Sequence, residues 1–477
     1  MKITFVEPPP ITKKTPERLA GCSYELYHFP DLANLYLLSY IHRCGFEVNY
    51  IDAVMEKWDR DKFCDRLRED MADVYIIHSV ILSKATDIEA IKWIRSITSK
   101  AMILFHGPEP TRVAQEYLID SKIVVFRGEP EKNIITFLEK GVIEGGSYLK
   151  DDKICEEPPS SQILIDFDEL PVPMRTYGIL SKYKNKYFNP KFQKKPFTVM
   201  MASRGCAFNC LFCVPNSISF ARQLEYLRYF NKKPSPSIGS ANRIIAEFRQ
   251  IKEEGFGSVL VIDDQFLWGK ERTLAICNGI KELGIEWGCL SRADFLTDEE
   301  VIKSLSEAGC KSIDIGAESL CQRTLDYARK DMNLETIYKA IDLLQRYNIT
   351  PKINIVLGLS PFETKQELKK TIAKLKQMKG TNVMFSIATP FKGTEFYSHC
   401  QSHGYLIDES DDIDPLHKAI ISYPELNNNT LEQFQRYAYK AYYLRPQYIL
   451  KRIASYTNFQ CFVNDIKIAI ELLRKKK

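Results

Sequence analysis

Two successive series of short apolar segments that alternate with amphipathic segments constrain the fold of this chain more than any other feature. In the first series the expected strands are Lys2–Val6, Glu47–Ile51, Asp73–Ser79, Met102–Phe105 and Ile123–Phe126, and the expected helices include Asp31–Cys44 and Thr86–Ser96. Strands separated by helices pair in parallel through right-handed crossovers. Residues 1–144 are therefore predicted to form a doubly wound α/β domain of the Rossmann-like kind, whose ligands bind at the carboxyl ends of its strands.

The second series begins after a stretch that glycine and proline interrupt, so residues 145–195 are predicted to be a linker. The expected strands are Phe197–Ala202, Ser258–Ile262, Glu286–Leu290, Ser312–Gly316, Lys352–Leu357 and Val383–Ala388. Helix starts are indicated at Ser240 and by a capping box at Thr297–Glu300. Six strand–helix units predict a partial (β/α)6 barrel of the triose-phosphate-isomerase type at residues 196–400, with its chemistry at the carboxyl ends of the strands.

Residues 401–477 are predicted to form a helical, aromatic-rich C-terminal domain. One helix face is indicated by the spacing of Phe434, Tyr437, Ala438, Ala441 and Tyr442. This helix should end or kink at Pro446, because proline cannot continue a helix. The last stretch, Ile466–Lys477, is typical of a helix with a basic end.

The composition of the 477 residues indicates a globular protein, with 45% hydrophobic and 27% charged residues. A net charge of +5 argues against a nucleic-acid partner, which usually requires a strongly basic domain. No apolar run is long enough for a transmembrane segment. Glutamate and prolines follow the first residues where a signal peptide would be apolar, so the sequence predicts a cytoplasmic protein.

Three of the thirteen cysteines are clustered, at Cys206, Cys210 and Cys213. Cysteine thiolates are the usual ligands of iron–sulfur clusters. Three thiolates in one loop can hold three corners of a four-iron cubane, and the fourth iron is then left open for a substrate or cofactor. A zinc site is one alternative, although structural zinc takes four ligands, and a chance grouping of buried cysteines is another.

The segment Ser203–Cys213 resembles the CxxxCxxC signature of the radical S-adenosylmethionine (SAM) superfamily, and further segments resemble later strands of its barrel. These are Val261–Phe266, Arg292–Asp294, Gly316–Ser319, Ile355–Thr364 and Ala388–Glu395. Ser360-Pro361-Phe362 departs from the usual Pro-Gly of the superfamily. The resemblance implies a [4Fe–4S] cluster on the three cysteines and a SAM site made by Phe212, Asp263, Asp264, Arg292, Glu318 and Gly358.

The N-terminal half is similar to the cobalamin-binding domain of the class B branch of this superfamily. The similarity rests on Gly107–Thr111, Arg127–Glu131 and the hinge-like Leu170–Pro173. It implies cobalamin contacts from Asp52, Ser79, Val80, Gly107, Pro108, Glu109, Thr111, Gly128 and Glu129. The Asp-x-His-x-x-Gly motif is absent, and His78 and His106 lie outside that context, so the resemblance implies cobalamin without a histidine below the cobalt.

Taken together, the resemblance implies an enzyme that cleaves SAM to a 5′-deoxyadenosyl radical and methylates an unactivated carbon with the help of cobalamin. It also implies an external one-electron reductant, of the flavodoxin or ferredoxin type, and a small-molecule, lipid, tetrapyrrole or peptide substrate. Two alternatives stay open. One is a radical enzyme that catalyses cyclisation, oxidation, ring rearrangement or carbon–carbon coupling. The other is a non-enzymatic metal or electron-transfer module.

Overall fold

The structure is a computed structural model that describes residues 1–11, 18, 29–159, 163–378, 380–411, 413–414 and 417–454. The described residues belong to two compact units. Unit 1 is drawn from Met1–Phe208, Val214–Ile313 and Arg346–Ile349. Unit 2 is drawn from Asn209–Cys213, Asp314–Gln345 and Thr350–Lys477.

The strands in chain order are β1 Lys2–Glu7, β2 Glu47–Asp52, β3 Val74–His78, β4 Met102–His106, β5 Ile123–Phe126, β6 Gly146–Lys150, β7 Lys153–Glu156, β8 Phe197–Met200, β9 Ser203–Arg204, β10 Ser237–Ile238, β11 Ser258–Val261, β12 Glu286–Ser291, β13 Cys310–Glu318, β14 Thr350–Leu357 and β15 Asn382–Ile387. The helices are α1 Leu32–Arg43, α2 Ala53–Glu56, α3 Arg60–Asp70, α4 Lys84–Ile97, α5 Pro108–Arg112, α6 Ala114–Tyr117, α7 Glu131–Lys140, α8 Leu180–Tyr183, α9 Ser217–Phe230, α10 Ala241–Glu253, α11 Lys270–Ile280, α12 Glu299–Glu307, α13 Gln322–Tyr327, α14 Leu334–Arg346, α15 Lys365–Gln377, α16 Glu395–Ser402, α17 Asn428–Tyr443 and α18 Pro446–Ala454. Short 3-10 turns lie at Phe167–Glu169, Lys281–Leu283 and Ala293–Leu296.

The N-terminal sheet in unit 1 has the strand order β2-β1-β3-β4-β5-β6-β7. Its first five strands pair in parallel, in a register that places Glu7 opposite Asp52 and His78 opposite His106. Buried apolar side chains cover both faces, as a parallel sheet between helices requires. The predicted doubly wound sheet is confirmed, and so is the α1 helix, which begins after Asp31 because that side chain accepts hydrogen bonds from two amides of the first turn.

The predicted linker contains a β-hairpin that the sequence analysis did not anticipate. Strand β6 pairs with β5 and β7 pairs with β6, both in antiparallel fashion, and so the hairpin extends the N-terminal sheet. The hairpin turns at Asp151 and Asp152, whose φ angles are 49° and 60°. Two-residue hairpins of this kind are usually signalled by Asn-Gly or Asp-Gly, so an Asp-Asp turn gives little warning in the sequence.

All six strands expected in the second series are present. In unit 1, β8, β11 and β12 are parallel neighbours, followed by the first half of β13. In unit 2, the second half of β13 is followed by β14, which pairs in parallel with β15. Helix α10 is capped by Ser240 as predicted. The predicted capping box is wrong: α12 starts one residue later, because Asp298 rather than Thr297 accepts from the first-turn amides.

Helix α17 packs on the edge strand β15, and side chains of the helix form hydrogen bonds with backbone groups of β15 that face away from β14. The hydroxyl of Tyr443 accepts from the amide of Val383 at 2.9 Å and donates to the carbonyl of the same residue at 2.6 Å. Gln435 donates to the carbonyl of Phe385 at 2.8 Å. An unpaired sheet edge invites pairing with another chain, so this helix also protects the edge. The predicted apolar face holds for Phe434, Ala438 and Tyr442, but Tyr437 is 48% exposed.

Among the described residues, no helix is both long and apolar enough to span a membrane. The predicted basic helix at Ile466–Lys477 lies outside the described residues.

We expect Tyr443→Phe to lower the free energy of unfolding by about 1–3 kcal/mol, because it leaves both backbone groups of Val383 without a partner. Urea denaturation monitored by circular dichroism measures this loss. Tyr437→Phe, on the same helix, is the matched control and should change stability by less than about 0.5 kcal/mol. Equal effects of the two substitutions would contradict this account of the β15 edge.

Candidate functional site

The segments implied to bind cobalamin lie together at the carboxyl edge of the N-terminal sheet. Asp52 ends β2, Ser79 and Val80 follow β3, Gly107 follows β4 and Gly128 follows β5. Parallel strands bring these ends to the same edge, where ligands of doubly wound sheets bind. The structure therefore brings the residues of this predicted site together.

Several of these residues also hold their own loops in place. The hydroxyl of Thr111 donates to the carbonyl of Gly107 at 2.7 Å and accepts from the amide of Gly128 at 3.0 Å, so it ties the loops after β4 and β5. Gly128 has a φ of 69° and faces Glu225, whose Cβ would lie 2.9 Å from an added Cβ. Asp52 caps α2 by accepting from the amide of Met55 at 2.7 Å.

The remaining implied contacts are buried as well. Ser79 exchanges a hydrogen bond with the hydroxyl of Tyr117 at 2.8 Å. Both oxygens of Glu109 contact the guanidinium of Arg112, at 2.6 and 3.0 Å. Val80 and Pro108 are buried beside these groups. These side chains pack within the protein, so the surface that they leave for a ligand is formed largely by backbone.

His78 and His106 form a buried stacked pair with ring centroids 4.9 Å apart. Nδ1 of His78 lies 2.8 Å from Asp31, and Nε2 of His106 lies 3.0 Å from Asn34. Nε2 of His78 is enclosed by the Gly107 backbone and has no hydrogen-bond partner in the described part of the chain. Burial and the neighbouring His78 lower the pKa of His106. The pair is thus part of the sheet's interior.

The cysteine loop follows the short strand β9. Cys206, Cys210 and Cys213 are all half-buried. In unit 2, the amide of Cys213 donates to the carbonyl of Cys210 at 3.2 Å, which forms a tight turn. No group of three His, Cys, Asp or Glu side chains in the described ranges could hold a single metal ion. The donor set of three accessible thiols fits a cluster in which each iron takes one thiolate.

Asp263 and Asp264 follow β11 but face different partners. Asp263 accepts from the amide of Ala202 at 2.7 Å and from the hydroxyl of Ser203 at 2.6 Å. Asp264 accepts from the amide of Asn216 at 2.8 Å through Oδ1. Its buried Oδ2 has no hydrogen-bond partner within the residues that the structure describes. Buried acceptors normally have a hydrogen-bond donor. The ammonium group of a bound amino acid would be a suitable donor to this oxygen.

Arg292 follows β12 in unit 1 and stacks on an aromatic ring beside the cysteine loop. Its guanidinium carbon lies 3.7 Å from the ring centroid of Phe208. Asp294 holds the same guanidinium with an Nη2 contact of 2.9 Å. A stacked and paired guanidinium is fixed in direction, so Arg292 keeps Phe208 in place two residues after Cys206.

Glu318, at the end of β13, adopts a left-handed backbone with a φ of 61°. This conformation is uncommon for a residue other than glycine and often marks a functional site. Its carboxylate contacts Nζ of Lys330 at 2.9 Å, and the ammonium lies 5.9 Å from the ring centroid of Phe212. An added Cβ at Gly316 would lie 2.6 Å from this carboxylate, so a larger residue there would displace the Glu318 side chain. Three residues of unit 2 thus form one charged and aromatic group.

Gly358, the last implied SAM contact, has a clear packing role. Its φ is 72°, and an added Cβ would lie 2.8 Å from Leu431 on α17. Its amide donates to Glu363 at 2.7 Å, and burial raises the pKa of that carboxyl to about 7.

Sequence reasoning missed two basic residues beside the predicted sites. Lys330 pairs with Glu318, and Arg204 pairs with Glu129 and Glu131. For Arg204 a signal was available, since it stands two residues before Cys206 and Glu131 belongs to the quoted Arg127–Glu131 segment. No comparable signal exists for Lys330, because the turn that brings it back to Glu318 has no recognisable motif.

Comparison with known sequences gives a matching domain and two relatives that align over most of this chain. Residues 200–375 match the model of the radical SAM superfamily. The chain is 26% identical to an uncharacterized methyltransferase of Pyrococcus horikoshii over 96% of each chain. It is 22% identical to an anaerobic magnesium-protoporphyrin IX monomethyl ester cyclase of Cereibacter sphaeroides over 85% of this chain, and it spans 66% of the cyclase's length.

Solved structures share the fold. OxsB, a cobalamin-dependent SAM radical enzyme solved with aqua-cobalamin and SAM, matches with a TM-score of 0.69 at 15% identity, over 92% of this chain and 65% of its own. TsrM of Kitasatospora setae, a radical SAM methyltransferase solved with cobalamin and a [4Fe–4S] cluster, matches with a TM-score of 0.66 at 13% identity, over 86% of this chain and 76% of its own. At these identities the likeness is one of fold, and it confirms the predicted fold class.

We expect the buried carboxyl of Asp263 to make stability depend on pH, because burial raises its pKa to about 7. The folded state then keeps this proton to a higher pH than the unfolded chain, so stability falls as the pH rises from about 4 to about 7. The free energy of unfolding of the wild type minus that of Asp263→Asn should therefore decrease by about 1.4 kcal/mol per pH unit in this window.

Urea denaturation of the apoprotein at several pH values measures this slope. The control is Asp65→Asn, which changes an exposed carboxyl of α3 in the same unit. The difference in the free energy of unfolding between this variant and the wild type should not change with pH. A flat difference for Asp263→Asn as well would show that burial does not raise the pKa of this carboxyl.

Proposed function

We propose that this chain, which is a radical SAM enzyme with the fold of the cobalamin-dependent members of that superfamily, methylates an unactivated carbon of a small-molecule, lipid or tetrapyrrole substrate. The observation that carries the proposal is the Cys206–Cys213 loop at the start of the matched domain, joined in one chain to a Rossmann-like sheet. The full-length relative described as a methyltransferase supports it further.

Cys206, Cys210 and Cys213 would hold the [4Fe–4S] cluster, and their partial exposure leaves their thiols accessible for its assembly. When bound, such a cluster supplies the electron that cleaves SAM to a 5′-deoxyadenosyl radical. The protein's part is to place one substrate C–H bond beside this radical and to exclude water.

Asp264 is the residue that we assign to the amino group of SAM. Its unpartnered Oδ2 can accept a charge-assisted hydrogen bond, whereas both oxygens of Asp263 are already engaged. Phe212 would offer a flat face beside the cysteines. Arg292 and Glu318 would contribute by fixing Phe208 and Lys330.

The loops after β2, β3, β4 and β5 would hold cobalamin, whose chemistry is to carry a methyl group. Their fit rests on backbone: Gly107 and Gly128 both adopt left-handed conformations, which let the chain turn sharply at the sheet edge. His78 and His106 are committed to Asp31 and Asn34, so we assign neither of them to the cobalt.

An external one-electron reductant of the flavodoxin or ferredoxin type would supply the electrons, and we propose a cytoplasmic location.

The proposal predicts two SAM-derived products in equal amounts. One SAM yields 5′-deoxyadenosine and methionine, and a second donates its methyl group and yields S-adenosylhomocysteine. The reconstituted protein is incubated anaerobically with dithionite, SAM, cobalamin and a panel of tetrapyrrole and lipid substrates, and both products are quantified by mass spectrometry. Cys210→Ala should reduce both to background, while Cys277→Ala, a buried cysteine on α11, should retain activity.

The ratio of the products separates the alternatives. Deoxyadenosine alone, with a cyclised or oxidised substrate, would favour the second candidate, which the cyclase relative supports. Products that do not exceed those of Cys210→Ala, together with a protein that holds no iron, would leave only a non-enzymatic role. A corrin absorbance spectrum of the purified protein tests cobalamin binding independently.

A further inference from the structure

A buried network of four charged side chains joins the N-terminal sheet to the strand that carries the cysteine loop. Arg204, on β9, contacts Glu129 at 2.9 Å through Nη1 and Glu131 at 2.6 Å through Nη2. Arg222, on α9, reaches Glu129 at 3.4 Å. All four side chains are no more than 3% exposed.

The network leaves Glu129 little freedom to contact anything else. One oxygen accepts from Arg204, and the other accepts from the amide of Ile165 at 2.9 Å and faces Arg222. The two guanidinium groups and the two carboxylates balance in charge. Removal of one member would leave its partner's charge buried without compensation, which proteins tolerate poorly.

Arg222 of this network and Ser219, both on α9, fix the backbone that leads into Cys206. Arg222 donates to the carbonyl of Arg204 at 3.2 Å, and Ser219 accepts from the amide of Gly205 at 2.8 Å. Gly205 has a φ of 89°, and an added Cβ would lie 2.8 Å from the Arg222 guanidinium. The residue directly before Cys206 is therefore held on both sides by α9.

We propose that Arg204 is a positioning residue that sets the direction of Cys206 from the carboxyl edge of the N-terminal sheet, an inference that rests on the proposed function for the role of Cys206. Glu129 and Glu131 follow β5, so the loop that would contact cobalamin and the loop that would hold the cluster share one buried ion network. Glu129, which the resemblance implies as a cobalamin contact, uses its side chain to anchor Arg204.

The guanidinium of Arg204 binds Glu129 through one nitrogen and Glu131 through another, and this double contact gives the side chain its positioning role. A guanidinium can bind two carboxylates in fixed directions, whereas an ammonium is a point charge that cannot reproduce this fork. Arg204→Lys therefore keeps the buried charge and removes the bridge between Glu129 and Glu131, and Arg204→Gln removes both. Glu225→Gln is the matched control, since Glu225 forms a buried ion pair of the same kind with Arg127 at 3.0 Å and is not a member of the four-residue network.

Amide hydrogen exchange of the full chain without cofactors measures positioning directly. We expect the peptide spanning residues 203–208 to exchange at least tenfold faster in Arg204→Lys than in the wild type, and to stay at the wild-type rate in Glu225→Gln. Thermal denaturation reports any general loss of folding. If Arg204→Gln does not fold, the lysine variant alone carries the test.

A second readout uses the reconstituted protein. The electron paramagnetic resonance spectrum of the reduced cluster should broaden in Arg204→Lys and remain unchanged in Glu225→Gln. Wild-type exchange rates in the lysine variant would overturn the positioning role, whether or not the protein makes product. Faster exchange in a protein that assembles no cluster would support the positioning role and count against the proposed function.

Discussion

The buried guanidinium of Arg204 is the constraint on which the arrangement of the candidate site depends. Its side chain is 1% exposed, and removal of a charged group of this kind from water costs several kcal/mol even after relaxation. Carboxylates at 2.9 and 2.6 Å offset this cost only if β9, the end of β5 and the start of α7 keep their positions. The position of Glu131 in the first turn of α7 adds a favourable interaction with the helix dipole. The Cys206 end of the loop thus begins from a backbone with little freedom.

Parallel strands explain why the other candidate residues gather where they do. In both sheets the polar or glycine-containing segments stand directly after strands, and the strands β1 to β5 are almost wholly buried. The loops at these ends are free to vary because the sheet is stabilised elsewhere by apolar packing. Burial raises the pKa of Asp263 to about 7, and Oδ2 of the neighbouring Asp264 has no hydrogen-bond partner among the described residues. A rigid scaffold with a few incompletely paired groups is suited to holding ligands.

The local sequence pattern alone predicts much of the fold. For example, the predicted strand Ile123–Phe126 has the same first and last residues as β5. It failed at the β6–β7 hairpin, because Asp151-Asp152 turns without the expected glycine. The cysteine loop could be recognised in the sequence because its three cysteines lie within eight residues. The pairing of Arg204 with Glu129 could not, since the two are 75 residues apart and buried charges are rare enough that the default expectation is exposure. Gly358 was implied as a SAM contact, while its fit against Leu431 became visible only with the packing of α17.

We propose that Cys206, Cys210 and Cys213 hold a cluster with one open iron that binds SAM. Electron paramagnetic resonance of the anaerobically reconstituted, dithionite-reduced protein, recorded with and without SAM, tests it most directly. The account predicts the signal of a reduced [4Fe–4S] cluster whose g-values shift when SAM is added, and the loss of that signal in Cys206→Ala, Cys210→Ala and Cys213→Ala. A cluster signal that SAM leaves unchanged, or a protein that binds zinc in place of iron, would contradict it.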